Sequence, residues 1–155
     1  MSVNSAPKFF QFEADFVASL RCIPMQVRFK LDTCGIKLKL SDWHKFTQEE
    51  RQQLVDIPCS TQAEIQAYRE LLRELVAAYT NELPKDLPVE AYPLWCDETS
   101  IPPSVQEKIL GLEVSMSLEQ WAALSSLERF VLIKLSRPSH ENKNFYPALQ
   151  EFHLA

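Results

Sequence analysis

Two stretches of this chain, 23–57 and 101–135, align without a gap at a constant spacing of 78 residues. Ile23-Pro24 meets Ile101-Pro102, Val27 meets Val105, Lys30 meets Lys108, and Leu40 meets Leu118. Trp43 meets Trp121, Glu50-Arg51 meets Glu128-Arg129, and Leu54 meets Leu132. Weaker matches carry the register on to Tyr68 with Tyr146 and Leu71 with Leu149. A repeat constrains the fold strongly, because one supersecondary unit must be buildable from both copies. Positions kept in both are assigned to structure; residues kept in one copy only are where a special function is sought.

Local signals give each unit its elements. Pro24 suits the first turn of a helix, where its missing N–H costs nothing, and Ile23, Val27 and Leu31 then recur every four residues. Gly35 supplies a left-handed stop. From Ile36 to Leu40 apolar and lysine residues alternate, the period of a half-buried strand, with Ser41 capping a short turn that carries Trp43 and Phe46. Thr47 and Glu50 form a capping box for a helix that ends before Pro58, and an amphipathic helix over about 61–81 follows. Its stripe is Ile65, Tyr68, Leu72, Leu75, Val76 and Tyr79.

The second copy repeats the plan, with Pro102 and Pro103 opening a helix, an alternating stretch at 113–118 read as a strand, and a Ser125/Glu128 capping box. The run Phe130 to Leu135 alone reads as strand or helix; its counterpart 52–57 follows a capping box, so both are assigned to helices. The expected fold is mainly α (α+β): one domain over 1–155, with repeats 23–81 and 101–155 joined by a Pro-rich connector, 82–100. Tyr92 to Trp95 is expected to pack that connector down. A lone strand leaves its ladder unsatisfied, so the two copies' strands are expected to pair as a short two-stranded antiparallel sheet about a pseudo-twofold axis.

Composition excludes several classes. With 155 residues the chain can bury a core unaided. Its net charge of −5 argues against a nucleic-acid binder, and two glycines against ten prolines leave no glycine-rich phosphate loop. No apolar run approaches the roughly 20 residues that span a bilayer, and the polar, aromatic and acidic start is unlike a secretory signal, so a cytoplasmic location is expected.

Cys22, Cys34, Cys59 and Cys96 show no C-x-x-C spacing and are read as reduced thiols. Cys22 and Cys59 precede helix starts, where the dipole favours a thiolate. His44, His140 and His153 form no local signature with any of them. No catalytic, cofactor or metal residue is assigned. The asymmetry of the repeat is more informative. Between Arg21 and Lys39 lie Arg21, Arg28, Lys30, Lys37 and Lys39 against one acid, Asp32. Copy two has Ser115 and Ser117 where copy one has Lys37 and Lys39, Gln106 for Arg28, and Ala122 for His44. Lysines on a strand also discourage edge pairing. As a docking patch for an acidic partner, the candidate contacts are Arg21, Arg28, Lys37, Lys39 and His44.

The string from Leu20 to Trp43, LRCIPMQVRFKLDTCGIKLKLSDW, resembles the nitrate reductase-associated protein family of cyanobacteria and some other bacteria. The aromatic lead Phe9 to Phe16 and the stretch from Glu50-Arg51 to Pro58-Cys59 fit it too. The resemblance covers nearly the whole chain. It implies a non-catalytic accessory or maturation factor that binds the polypeptide of assimilatory nitrate reductase, a molybdenum and iron–sulfur enzyme, and aids cofactor insertion, stability or electron-donor docking. It carries no catalytic residues with it. The alternatives are a small thiol- or metal-dependent enzyme or carrier using Cys22, Cys34, Cys59 and His44, and a nitrogen-status regulatory binding protein.

Overall fold

In the computed structural model, which describes residues 9–17, 19–137 and 142–155, four helices start where a side-chain cap dictates. Thr47, Thr61, Ser117 and Ser125 each accept a hydrogen bond from the N–H three residues on, and the Glu or Gln there returns it. Each box satisfies two of the donors that a helix start leaves orphaned. The chain divides into two compact units, Met1–Val89 and Glu90–Ala155. His140 lies outside the described residues.

The first unit runs α1 (Ala14–Val17), α2 (Met25–Cys34), β1 (Ile36–Lys37), α3 (Leu40–Lys45), α4 (Gln48–Asp56), α5 (Gln62–Thr80) and β2 (Lys85–Asp86). Pro24 is the N-cap of α2 and offers no side-chain cap. Buried Glu13 replaces one: its Oε1 accepts the Met25 N–H at 3.0 Å and its Oε2 the Phe10 N–H at 3.0 Å. A carboxylate suits that position because the helix dipole is positive there. Gly35 ends α2 in the left-handed region at φ 77°. The core gathers Val27 and Leu31 of α2, Trp43, Leu54, and the Tyr68, Leu72 and Val76 stripe of α5.

The second unit runs α6 (Pro103–Leu110), α7 (Leu118–Ala123), α8 (Ser126–Ser136) and α9 (Phe145–Glu151), with 3-10 turns at Leu94–Cys96 and Asn142–Asn144. The run Phe130 to Leu135 is helical as expected, and all of it but Lys134 is buried. Helices α6 and α9 and the 94–96 turn pack on α8. Helix starts in the two units lie 78 residues apart: Met25 and Pro103, Leu40 and Leu118, Gln48 and Ser126. Trp43 and Trp121 are both wholly buried.

The sheet is two-stranded and antiparallel, as expected, but its second strand is not in the other copy. β1 pairs with β2, Ile36 opposite Asp86 and Lys37 opposite Lys85. Arg69 of α5 secures the pairing by donating to the Cys34 and Gly35 carbonyls and to Asp86 Oδ1. The connector therefore returns to satisfy the ladder locally. Residues 114–117 form no strand, because Gly111 to Glu113 turn and Ser117 is committed to capping α7. The strand expected at 36–40 stops at Lys37, since Lys39, not Ser41, is the N-cap of α3.

Two further expectations change. Trp95 packs edge-on against Phe130, with centroids 5.2 Å apart, whereas Tyr92 is 67 % exposed. Tyr146 is exposed while Tyr68 is wholly buried, and Phe145 takes the buried place in α9. No described helix is long and apolar enough to cross a membrane.

Candidate functional site

The basic residues singled out from the sequence fall into separate places. Lys30 leaves the surface altogether. Its Nζ donates to the Val55 and Ile57 carbonyls at 2.7 and 2.6 Å and lies 5.7 Å from the centroid of the Tyr68 ring. Those carbonyls belong to the C-terminal end of α4, where a cation is favoured, and the Tyr68 hydroxyl donates to the Leu54 carbonyl beside them. Lys30 is a buried cap for that helix end.

Arg21, Arg28 and His44 gather around the loop that precedes α2. The exposed His44 Nε2–H donates to the Arg21 carbonyl at 2.7 Å, and Arg28 Nε–H donates to the Ile23 carbonyl at 3.1 Å. Arg51 completes this corner by donating to the Trp43, His44 and Leu20 carbonyls. Glu50 serves as the cap of α4, while Arg51 binds the carbonyl end of α3.

Lys37 and Lys39 instead line a cleft of about 490 Å³ within the first unit, formed by β1, α3, the last turn of α5 and the segment leading into β2. Lys45 and Lys85 also line it. Four lysines therefore line one cleft in a chain of net charge −5. Tyr79 forms a wall, its ring packed on Phe46 at 5.9 Å and its hydroxyl donated to Glu50 Oε1 at 2.7 Å. Desolvation raises the Glu50 carboxyl, but the Thr47 N–H and the Tyr79 hydroxyl outweigh it and hold the group below the usual range. The same bond raises the Tyr79 hydroxyl. Lys45 escaped notice in the sequence although Ala123 occupies its place in copy two, the criterion that flagged Lys37 and Lys39. Lys85 had no such signal, because the connector has no counterpart.

Cys34 and Cys59 do not assemble with His44, which bonds the Arg21 carbonyl beside Cys22. Cys34 and Cys59 are buried near Lys30 and Tyr68, their Sγ atoms facing the Leu31 and Lys30 carbonyls. Burial, reinforced by the neighbouring Cys59, pushes the Cys34 thiol up to about 12. Burial likewise raises Cys59 to about 11, and overrides the helix-start effect expected there. Among the described residues no group of three His, Cys, Asp or Glu side chains could hold a metal ion. Alkylation of the native chain by iodoacetamide at pH 8 is expected to modify the half-buried Cys22 and Cys96 well before Cys34 and Cys59. Peptide mass spectrometry over time checks the order, and equal rates would contradict it.

Asp97 of the connector is tied down by its neighbours. Thr99, through its hydroxyl and N–H, and then Ser100 hold the Asp97 carboxyl below its ordinary range, and the Asp97 carbonyl accepts Trp121 Nε1–H at 2.9 Å. A protein-family model described as conserved nitrate reductase-associated protein matches residues 9–152. No curated protein and no solved structure gives a significant match to the chain.

Proposed function

The chain belongs to the nitrate reductase-associated protein family, and from that premise we propose that it is a non-catalytic factor that acts by binding the nitrate reductase polypeptide. Its docking contacts are assigned to two places on the first unit: Lys37 and Lys39 at the cleft, and Arg21, Arg28 and His44 at the corner before α2. The observation that supports this reading is the concentration of exposed lysines on one face of the first unit, against a net charge of −5 for the chain. Such a patch steers an acidic surface into register and raises the encounter rate, while the rest of the chain repels it. Bound in this way, the factor stabilises a form of the reductase that accepts its cofactors or its electron donor.

The double variant Lys37→Glu, Lys39→Glu tests the face. Both side chains are exposed, so thermal stability should stay within about 0.5 kcal/mol of the parent. Reductase capture by the tagged protein from nitrate-grown cells should fall by about tenfold or more at low salt, through a slower encounter. Cofactor analysis of the captured reductase then reports which form is held. Undiminished capture would remove this face from the account.

A further inference from the structure

We propose that the four-lysine cleft of the first unit is a binding site for a small diphosphate-class anion that also presents an N–H donor. The inference goes beyond reductase binding and does not rest on it. Lys37 and Lys85 are directly opposite one another across the antiparallel pair. Like charges in that position destabilise a sheet, and this sheet is only two residues long on each strand. An anion seated between the two ammonium groups converts the repulsion into attraction.

Helix α3 departs from its counterpart in the same direction. Its N-cap is Lys39, with no side-chain cap, where α7 has Ser117 in a full capping box with Gln120. Its last residue is Lys45, where α7 ends in Ala123. Copy two shows that this helix needs neither lysine, and the first exchange gives up a cap. Discouraging edge-to-edge pairing accounts for lysines on a strand but not for Lys45 on a helix. None of the four lysines has an ion pair among the described residues.

Asp42 specifies the second half of the ligand. Its side chain lines the same cleft, yet the residue is only 8 % exposed and has no side-chain hydrogen bond or ion pair among the described residues. Its carboxylate is therefore open to accept a hydrogen bond from whatever occupies the cleft. The ligand's phosphates meet the cleft's lysines, and an N–H edge on the same ligand donates to Asp42. With Glu82 also on the rim, four positive charges face two negative ones, an excess suited to a multiply charged anion. A volume of about 490 Å³ accommodates a small molecule.

Calorimetric titration of the full chain at low salt with pyrophosphate, ADP and GDP tests the assignment. Saturable binding of pyrophosphate and of at least one nucleotide is expected, weakened by added salt. The Lys45→Ala, Lys85→Ala variant should bind about tenfold or more weakly with unchanged circular dichroism and melting temperature. Asp42→Asn should weaken the nucleotide and leave pyrophosphate unaffected. Absence of saturable binding, or equal binding by the double lysine variant, would overturn the site. Binding of poly-glutamate without pyrophosphate would assign the cleft to an acidic protein segment instead, and equal nucleotide binding by Asp42→Asn would remove the donor. Lys37 and Lys39 belong to both readings, whereas Lys45 and Lys85 belong to the cleft alone, so loss of pyrophosphate binding with retained reductase capture in the Lys45→Ala, Lys85→Ala variant separates the two.

Discussion

Gly35→Ala is expected to lower the stability of the first unit by about 2–5 kcal/mol, read as a drop in the urea midpoint at constant slope. Two costs add. At φ 77° the backbone is left-handed, which an L side chain enters at a cost of about 1–2 kcal/mol. An added Cβ would also stand 2.6 Å from Val89 Cγ2 and 3.1 Å from the Leu87 carbonyl oxygen. Val89 is exposed and can turn away. Leu87 cannot, because its N–H donates to the Gly35 carbonyl at 2.8 Å and β2 ends one residue earlier. Overpacking of that kind costs about 1–3 kcal/mol. Gly111→Ala is the control. Its φ is −69° and its nearest neighbour to a new Cβ is at 3.6 Å, so the change should be neutral or stabilise by up to about 1 kcal/mol. Equal effects at the two glycines would refute the argument.

The contrast shows what the amino-acid pattern could convey. Gly35 reads correctly as a left-handed stop because the signal is local: a glycine closing an apolar period. The Thr47 and Ser125 boxes are local in the same sense, and they locate α4 and α8 to the residue. The Leu87 contact depends on where the connector travels, and a two-residue strand is too short to leave a period. The same limit hid the true partner of β1. Ser117 and Gln120 form a box that was equally local, but it falls inside an alternating stretch that imitates a strand. Of the site, Lys37 and Lys39 were reached through the asymmetry of the repeat. Lys85 and Asp42 were not, because the lining of a cleft and cross-strand register are properties of the assembled unit. Lys30 shows the converse: matched by Lys108 and surrounded by basic residues, it reads as surface, and only the carbonyls at the end of α4 explain why it is inside.

Arg129→Ala is expected to destabilise the second unit by about 3–5 kcal/mol, more than the matching change in the first. Arg129 is 3 % exposed and its guanidinium serves the carbonyl end of α7 from within. Nη1 donates to the Trp121, Ala122 and Leu124 carbonyls, the last at 2.5 Å, while Nε donates to the Trp95 carbonyl at 2.7 Å. Truncation strands the Ala122, Leu124 and Trp95 carbonyls, at about 1–3 kcal/mol for each that water cannot reach, while the Trp121 carbonyl keeps the Leu124 N–H. It also frees the 94–96 turn that holds Trp95 over Phe130. Lysine should not restore stability, since one ammonium cannot span acceptors that the planar fork meets together. The ion pair to Glu98 contributes little. Its separation is 3.8 Å and the carboxylate is 61 % exposed, so Glu98→Gln should shift stability by under about 0.5 kcal/mol. Arg51→Ala provides the comparison: this half-buried arginine donates to three carbonyls at 3.1–3.3 Å, in partial reach of water, and about 1–2 kcal/mol is expected. Chemical denaturation followed by circular dichroism ranks the four variants. A loss at Arg129 no larger than at Arg51, or rescue by lysine, would show that charge rather than the buried fork holds the end of α7.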